Sequence, residues 1–466
     1  MTQMKPYKFI IFILFTAFLT SCEDELQIEP RQNQDSEVTL GTETGIVNIL
    51  NGAYAVAADA DVFGGRSLVS ADLMAQTGLT STTDFRWRGS YGEFRQMYTK
   101  SVLVDNAFVR QIYARNYEII NAANTVIENI DKVADGDKRT RMIAEANFLK
   151  SLAYFDLVRF FGLPYEAGKQ NTQLGVIIRP NAIYDFNADL SKERSTVEEV
   201  YTLIIQQLND AYDGLPEENS FYPDKYAAKA LLARVYLQQQ NYAAARDAAN
   251  EVIENSGRAL STSYANAFNH DENQIEDIFA IQITKQTGEN EIVVMYASEG
   301  NGGRGGDVEI RNTYINKFTD PNDDRANFTY INPDNDRLLT SKYTNQYGDV
   351  GIIRLAEMYL IRAETNFRLG TSVGDTALND INLIRTRAHA SNFTALTLAS
   401  ILRERELELA MEGFAIHDLK RTKASIDVNG DGSELIPYND PTLVFPIPLR
   451  EMDANKLITQ NPGYGS

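Results

Sequence analysis

The sequence predicts a mainly α-helical protein, a tetratricopeptide-like scaffold of paired helices that carries long irregular loops and a few short strands. Three observations predict it. Apolar residues recur every three to four positions in a series of long segments, the period of an amphipathic helix. Leu232, Ala233 and Tyr236, followed by Ala245 and Ala249, fall at the large, small and packing positions of a tetratricopeptide helix pair. Glycine-rich, ring-bearing stretches interrupt the helical pattern and read as loops.

The chain has 466 residues, 43% hydrophobic and 23% charged, which suits a globular protein with a large core. A helical-repeat array absorbs such a length as one body. With 44 Lys and Arg against 64 Asp and Glu, the formal charge is −20. An acidic surface repels phosphate backbones, so nucleic acid is not an expected partner. The 22 Phe and 24 Tyr offer many rings, most of them expected in the core and some available to stack on sugars. Cys22 is the only cysteine, so no disulfide forms within the chain.

In chain order, Lys5 and Lys8 precede an apolar run at 9–19, too short to span a bilayer but right for a secretory signal. Leu19, Thr20 and Ser21 before Cys22 are similar to a bacterial lipobox. This resemblance implies a lipoprotein signal peptide at 1–21, cleavage before Cys22 and attachment of palmitate-type acyl chains there, which hold a soluble body at a membrane. Glu23, Asp24 and Glu25 resemble a surface-export signal; a solvated charge run is the competing reading. Residues 22–40 are polar and read as a lipidated acidic tether, leaving 41–466 as the folded domain.

Within that domain a helix begins near residue 45, with Ile46, Ile49, Leu50 and Ala53 on one stripe. Residues 63–99 read as loops. Long helices follow at 106–130 and 140–161, joined by a short turn and therefore antiparallel. Another spans 195–212, with Ser195 as N-cap and Glu198 completing a capping box. Helices at 226–239 and 242–255 form the tetratricopeptide-like pair. The helix pairs thus cover about 106–161, 195–255 and 352–412. The remaining stretches, about 256–350 and 420–466, read as loops, with strand-like runs at 278–284 and 291–297.

Chemistry-bearing motifs are sparse. His270, His389 and His417 share no metal-ligand spacing. Residues 427–432 (DVNGDG) begin like a calcium loop, with Asp427, Asn429 and Asp431 as oxygen donors. Position 12 of that loop would be Tyr438, so Glu434 is the remaining acidic candidate; a solvated turn is the alternative. No other cofactor is signalled. The glycines at 300, 302 and 305 match a dinucleotide fingerprint but begin no helix, so a flexible loop is the reading. No GxSxG nucleophile elbow occurs.

Five ordered segments carry a family resemblance. They are 145–162 (EANFLKSLAYFDLVRFFG), 229–236 (KALLARVY), 354–364 (RLAEMYLIRAE), 404–413 (ERELELAMEG) with 418–421 (DLKR), and 445–448 (FPIP) with 461–464 (NPGY). With the lipobox, the chain resembles the SusD/RagB family of Bacteroidetes outer-membrane lipoproteins. The resemblance implies a protein on the outer face of the outer membrane. It would capture oligosaccharides and hand them to a SusC-like TonB-dependent transporter, without covalent chemistry. Members that bind peptide or another nutrient give the first alternative. A glycan-active surface enzyme and a protein-only tetratricopeptide adaptor are the others.

Trp87 is the only Trp, in a Gly-rich segment with Arg86, Arg88 and Tyr91. An exposed indole there offers a platform for a sugar ring, and Arg donates to hydroxyls or carboxylates. A Trp buried beneath the loop is the alternative. The resemblance also points to 296–311, where Tyr296, Asn301, Arg304 and Arg311 sit among glycines. Such Arg-rich loops would suit an acidic sugar.

Overall fold

The computed structural model describes residues 40–77, 82–285 and 288–465. The signal peptide, Cys22 and all but the last residue of the tether lie outside the described residues.

Helix α1 (Glu43–Ala57) is capped by Thr42, whose side chain accepts from the Gly45 N–H. It lays Ile46, Leu50 and Ala53 onto the long helix pair at 107–128 and 136–161. Two short helices follow, α2 (Arg66–Met74) and α3 (Gly92–Tyr98), on either side of strand β1 (Phe85–Trp87). The 63–99 region is therefore not a plain loop. Its described glycines, Gly64, Gly65, Gly89 and Gly92, sit at turns and helix starts, so they mark ends of elements rather than their absence.

Helix α4 (Ala107–Glu128) is capped by Asn106 and α5 (Gly136–Phe161) by Asp135. From Ala144 onward α5 is buried on nearly every side, with Phe148, Phe155, Phe160 and Phe161 at the centre of the main core. Each buried Phe side chain contributes about 2 kcal/mol of transfer free energy. Helix α6 (Val197–Gly214) opens with a capping box one residue later than expected, between Thr196 and Glu199. Glu198 instead accepts from the Asn171 side chain.

Helices α7 (Lys225–Gln238) and α8 (Tyr242–Asn255) pack closely because Ala233, Ala245 and Ala249 are fully buried. The alternation then breaks. Strand β2 (Asp277–Ile281) overlaps the predicted strand at 278–284, but 291–297 forms helix α9 (Glu291–Tyr296) instead. The Asn290 side chain accepts from the Ile292 and Val293 N–H groups and starts the turn. A short apolar run buried on all sides does not distinguish helix from strand by periodicity.

Strands β3 (Val308–Ile310), β4 (Thr329–Ile331), β5 (Leu338–Thr340) and β6 (Val350–Arg354) follow, with two one-turn helices at Asn312–Ile315 and Asp324–Asn327. Antiparallel two-stranded pairs form as β1–β3, β2–β6 and β4–β5. Helices α10 (Leu355–Leu369), α11 (Ala377–Arg387), α12 (Leu398–Glu408) and α13 (Ala415–Thr422) complete the late bundle. A hairpin of β7 (Ser425–Asp427) and β8 (Leu435–Pro437) precedes α14 (Leu449–Ala454). The fold is mainly helical with short strands. Among the described residues no helix is long and apolar enough to cross a membrane.

A buried ionic network fastens the loop-rich 256–350 region to this bundle. Glu404, Glu408 and Glu412 recur every four residues and face inward together. Glu404 pairs with Arg325 at 2.6 Å and Arg385 at 2.9 Å. Glu412 pairs with Arg354 at 2.8 Å and Lys342 at 2.7 Å. Glu276 bridges Arg354 at 2.6 Å and Arg387 at 2.8 Å, and Glu408 lies among Arg325, Arg354 and Arg387. Each of the four carboxylates is offset by more than one cation, as burial requires.

Candidate glycan-binding site

Strand β1 alternates buried Phe85 and Trp87 with exposed Arg86, because the pleat sends successive side chains to opposite faces. Its partner β3 buries Val308 and Ile310 and sets Glu309 opposite Arg86. Opposite charges across a strand pair reinforce the register. Just beyond the strand, the Arg88 N–H donates to the Asp307 carbonyl at 2.6 Å, and the Arg88 guanidinium meets Glu309 at 2.7 Å. This pairing joins two segments more than two hundred residues apart, 86–91 and 296–311.

Arg304 is the hinge between them. Its guanidinium lies 4.0 Å over the Tyr91 ring, donates to the Ser90 hydroxyl at 3.0 Å and stands 3.8 Å from Asp307. Tyr91 is held edge-on by Phe94 and Phe108, so the Arg304 stack rests on a ring fixed by the core. The loop before it turns tightly enough that a Cβ on Gly303 would fall 2.0 Å from the Ala297 carbonyl oxygen.

A third segment, the turn between β4 and β5, closes the wall. The Asn332 and Asn335 side-chain amides each donate to the Gly305 carbonyl at 3.0 Å, and Arg337 donates to the Gly306 carbonyl at 3.0 Å. Arg88, Ser90, Glu299, Arg304, Asp307, Asp334, Asn335 and Arg337 then line an open cleft of roughly 370 Å³. It alternates guanidinium donors with carboxylate acceptors, an arrangement that suits the hydroxyls of a saccharide. Burial pushes the Asp307 carboxyl up from its ordinary value, and its Oδ2 has no hydrogen-bond partner among the described residues.

Arg88, Tyr91 and Arg304 are thus gathered at one place. Five other sequence candidates are placed differently. Trp87 is 3% exposed, packed 5.0 Å from Phe94 with Gly89 laid across it, so the indole is a foundation and not an exposed platform. Tyr296 is 1% exposed and donates to the Asp72 carboxylate at 3.1 Å beneath the surface. Asn301 sits half-buried in a 3-10 turn outside the lining, and Arg86 is exposed outside it as well. Arg311 pairs with Glu309 at 3.2 Å and does not line the cleft. Glu299, Asp307 and the 334–337 turn were not singled out from sequence. The polar run at 332–336 announces a turn, but nothing in it announces docking onto residues 305–306.

The DVNGDG segment forms the tip of the β7–β8 hairpin. Asp427 accepts from the Gly430 and Gly432 N–H groups at 2.8 and 3.0 Å, and Asp431 accepts from the Ser433 N–H at 2.9 Å. The carboxylates serve the turn. Asp427, Asp431 and Glu434 do not converge, and no group of three or more His, Cys, Asp or Glu able to hold a metal occurs among the described residues. The calcium expectation for Asp427, Asn429 and Asp431 therefore gains no support from the geometry. His417 is buried with its ring against Phe160, and burial pushes its pKa well below the usual value.

A family model described as "SusD family" matches residues 206–464, more than half of the chain. The chain belongs to the SusD family. A second model, described as "Starch-binding associating with outer membrane", matches residues 26–237 of this SusD-family protein. SusD-like protein P2 of Formosa agariphila is 27% identical, covering 99% of this chain and 100% of that protein. The starch-binding protein SusD of Bacteroides thetaiotaomicron is 31% identical over 181 residues, 37% of this chain and 30% of its own. A solved SusD superfamily protein from Bacteroides thetaiotaomicron superposes with a TM-score of 0.80 at 27% identity, covering 90% of this chain and 100% of that one.

Proposed function

We infer that this SusD-family protein captures oligosaccharides in the β1–β3 cleft and delivers them to a SusC-like TonB-dependent transporter in the outer membrane. The observation that carries the reading is the convergence of three distant segments into one polar cleft whose donors and acceptors alternate. Binding, not bond breaking, is its role: the cleft is open, and Arg304 and Arg88 are already engaged with Tyr91 and Glu309. Lipid on Cys22 and the acidic residues after it would keep the body at the cell surface beside its transporter. The relatives' starch-binding and outer-membrane descriptions support the same reading.

Calorimetry on the mature protein with a panel of neutral and acidic oligosaccharides tests it. At least one saccharide should titrate, and Arg304→Ala should weaken that saccharide about tenfold, the loss of roughly 1.4 kcal/mol. A panel in which no saccharide titrates, or binding that ignores Arg304→Ala, refutes the cleft. Co-purification of the lipidated protein with an outer-membrane transporter tests delivery; recovery of the protein alone after membrane solubilisation contradicts it.

A further inference from the structure

A second concavity shares no residue with the cleft described above. It lies between the first half of α4, the segment 177–190 and α14, and is an open groove with a cavity volume of roughly 520 Å³. Its floor is built from rings. Tyr113 and Tyr117 meet at 4.8 Å between centroids, and the Tyr117 hydroxyl donates to the Ile177 carbonyl at 2.8 Å. Asn121 holds the outer wall by exchanging two hydrogen bonds with the Ile183 backbone, at 2.7 and 3.2 Å. At the mouth, Phe186 is 73% exposed, the largest exposure of any large hydrophobic side chain among the described residues. A ring so exposed, facing into a preformed concavity, is a free stacking surface.

The charge of this groove is the opposite of the chain's. Arg110, Arg179 and Arg450 line it. Arg110 and Arg450 make no side-chain hydrogen bond or ion pair with any described residue. Arg179 donates to the Leu190 carbonyl at 2.6 Å but pairs with no described carboxylate. On the acidic side, Glu118 is taken by Arg115 at 2.6 Å, and Glu451 has only the Asn455 amide at 3.5 Å. Three guanidiniums therefore face one unpaired carboxylate, in a protein of net charge −20. Uncompensated guanidiniums held at a concave surface attract anions and match the planar fork of a carboxylate or the oxygens of a sulfate.

We propose that this groove is a second saccharide site, selective for oligosaccharides that carry carboxylate or sulfate groups. The rings take the apolar faces of the sugars while Arg110, Arg179 and Arg450 take the anionic substituents. An acyl chain is a poor occupant, because Asn121, Gln111 and Glu118 put polar groups along the wall. The proposal rests on the reading of the protein as a saccharide binder, but not on the location of the first cleft.

The test is calorimetry on the mature protein with trigalacturonate, a sulfated galactan trisaccharide, neutral galactotriose and tetraglutamate. At least one of the two anionic sugars should bind more tightly than galactotriose and weaken steeply with salt. Arg110→Ala combined with Arg450→Ala should reduce its affinity tenfold or more and leave neutral sugars unaffected. Phe186→Ala, at an exposed position that the fold does not depend on, should reduce it several-fold. Phe186→Trp adds an emission whose change on titration places the sugar in the groove. Unchanged anionic-sugar affinity in the double Arg variant overturns the proposal, as does binding of tetraglutamate alone. Loss confined to Arg304→Ala overturns the groove and keeps the first cleft. Loss confined to the groove variants keeps the groove and removes the first cleft.

Discussion

Glu408→Gln is the sharpest probe of the frame that presents the cleft. Glu408 is fully buried and is shared by Arg325, Arg354 and Arg387. Burial alone would raise its carboxyl, but Arg387, Arg354, Arg325 and Lys342 outweigh it and hold the pKa at about 2, against 4.5 for the free group. That gap corresponds to roughly 3 kcal/mol of preference for the charged form in the folded state. The folded pKa is depressed, so this stability is present above pH 4.5 and is lost as the pH falls from 4.5 toward 2. Glutamine keeps the shape, removes the charge and turns an amide donor toward guanidinium donors. Urea denaturation followed by circular dichroism should show Glu408→Gln weaker by about 3 kcal/mol at pH 7. The difference should shrink as the pH is lowered through 4.5. A variant within about 0.5 kcal/mol of wild type at pH 7, or a gap that does not narrow in acid, would refute the reasoning.

Gly89→Ala should unseat the cleft, because a Cβ there falls 2.4 Å from the Trp87 ring and 2.6 Å from Asp307. The overpacking should cost about 1–3 kcal/mol and shift the emission of the single Trp; an unshifted spectrum with wild-type stability would contradict it. Asp72→Asn tests the buried contact under α9, where burial raises the Asp72 carboxyl to about 7. The folded pKa lies above the unfolded one, so wild-type stability is full below about pH 4 and falls as the pH rises through 7. The Asn variant should lack this decline, and parallel pH profiles for the two proteins would rule it out.

The helical frame was legible because its signals are local. The apolar stripes of the long helices, and the small residues Ala233, Ala245 and Ala249, announce helices and their packing within a few residues of sequence, whereas the cap at Asp135, which starts its helix four residues earlier than the pattern suggests, does not. The 404–413 motif was legible as a family mark, but its physical content was not: carboxylates at 404, 408 and 412 serve a buried network whose cations come from as far away as Arg325. Sequence points to Arg88 and Tyr91 in one glycine-rich stretch and to Arg304 in another; that the two stretches meet is visible only in the structure. Sequence leaves Trp87 open between an exposed platform and a buried ring, because burial depends on what covers a residue, and the structure takes the buried alternative. Its cover is Gly89 and Phe94, and a three-residue strand is too short to show its alternation clearly. Glu299, Asp307 and Arg337 enter the cleft only through strand pairing and a turn docked by side-chain amides, which are non-local contacts that no periodicity encodes.

Hydrogen exchange on the mature protein saturated with an oligosaccharide that titrates is the most direct test of the claim that the frame assembles a glycan site from β1, β3 and the 332–337 turn. Slowed exchange at 88–91, 299–307 and 332–337 together is the predicted footprint. Protection that leaves all three segments unchanged would contradict it.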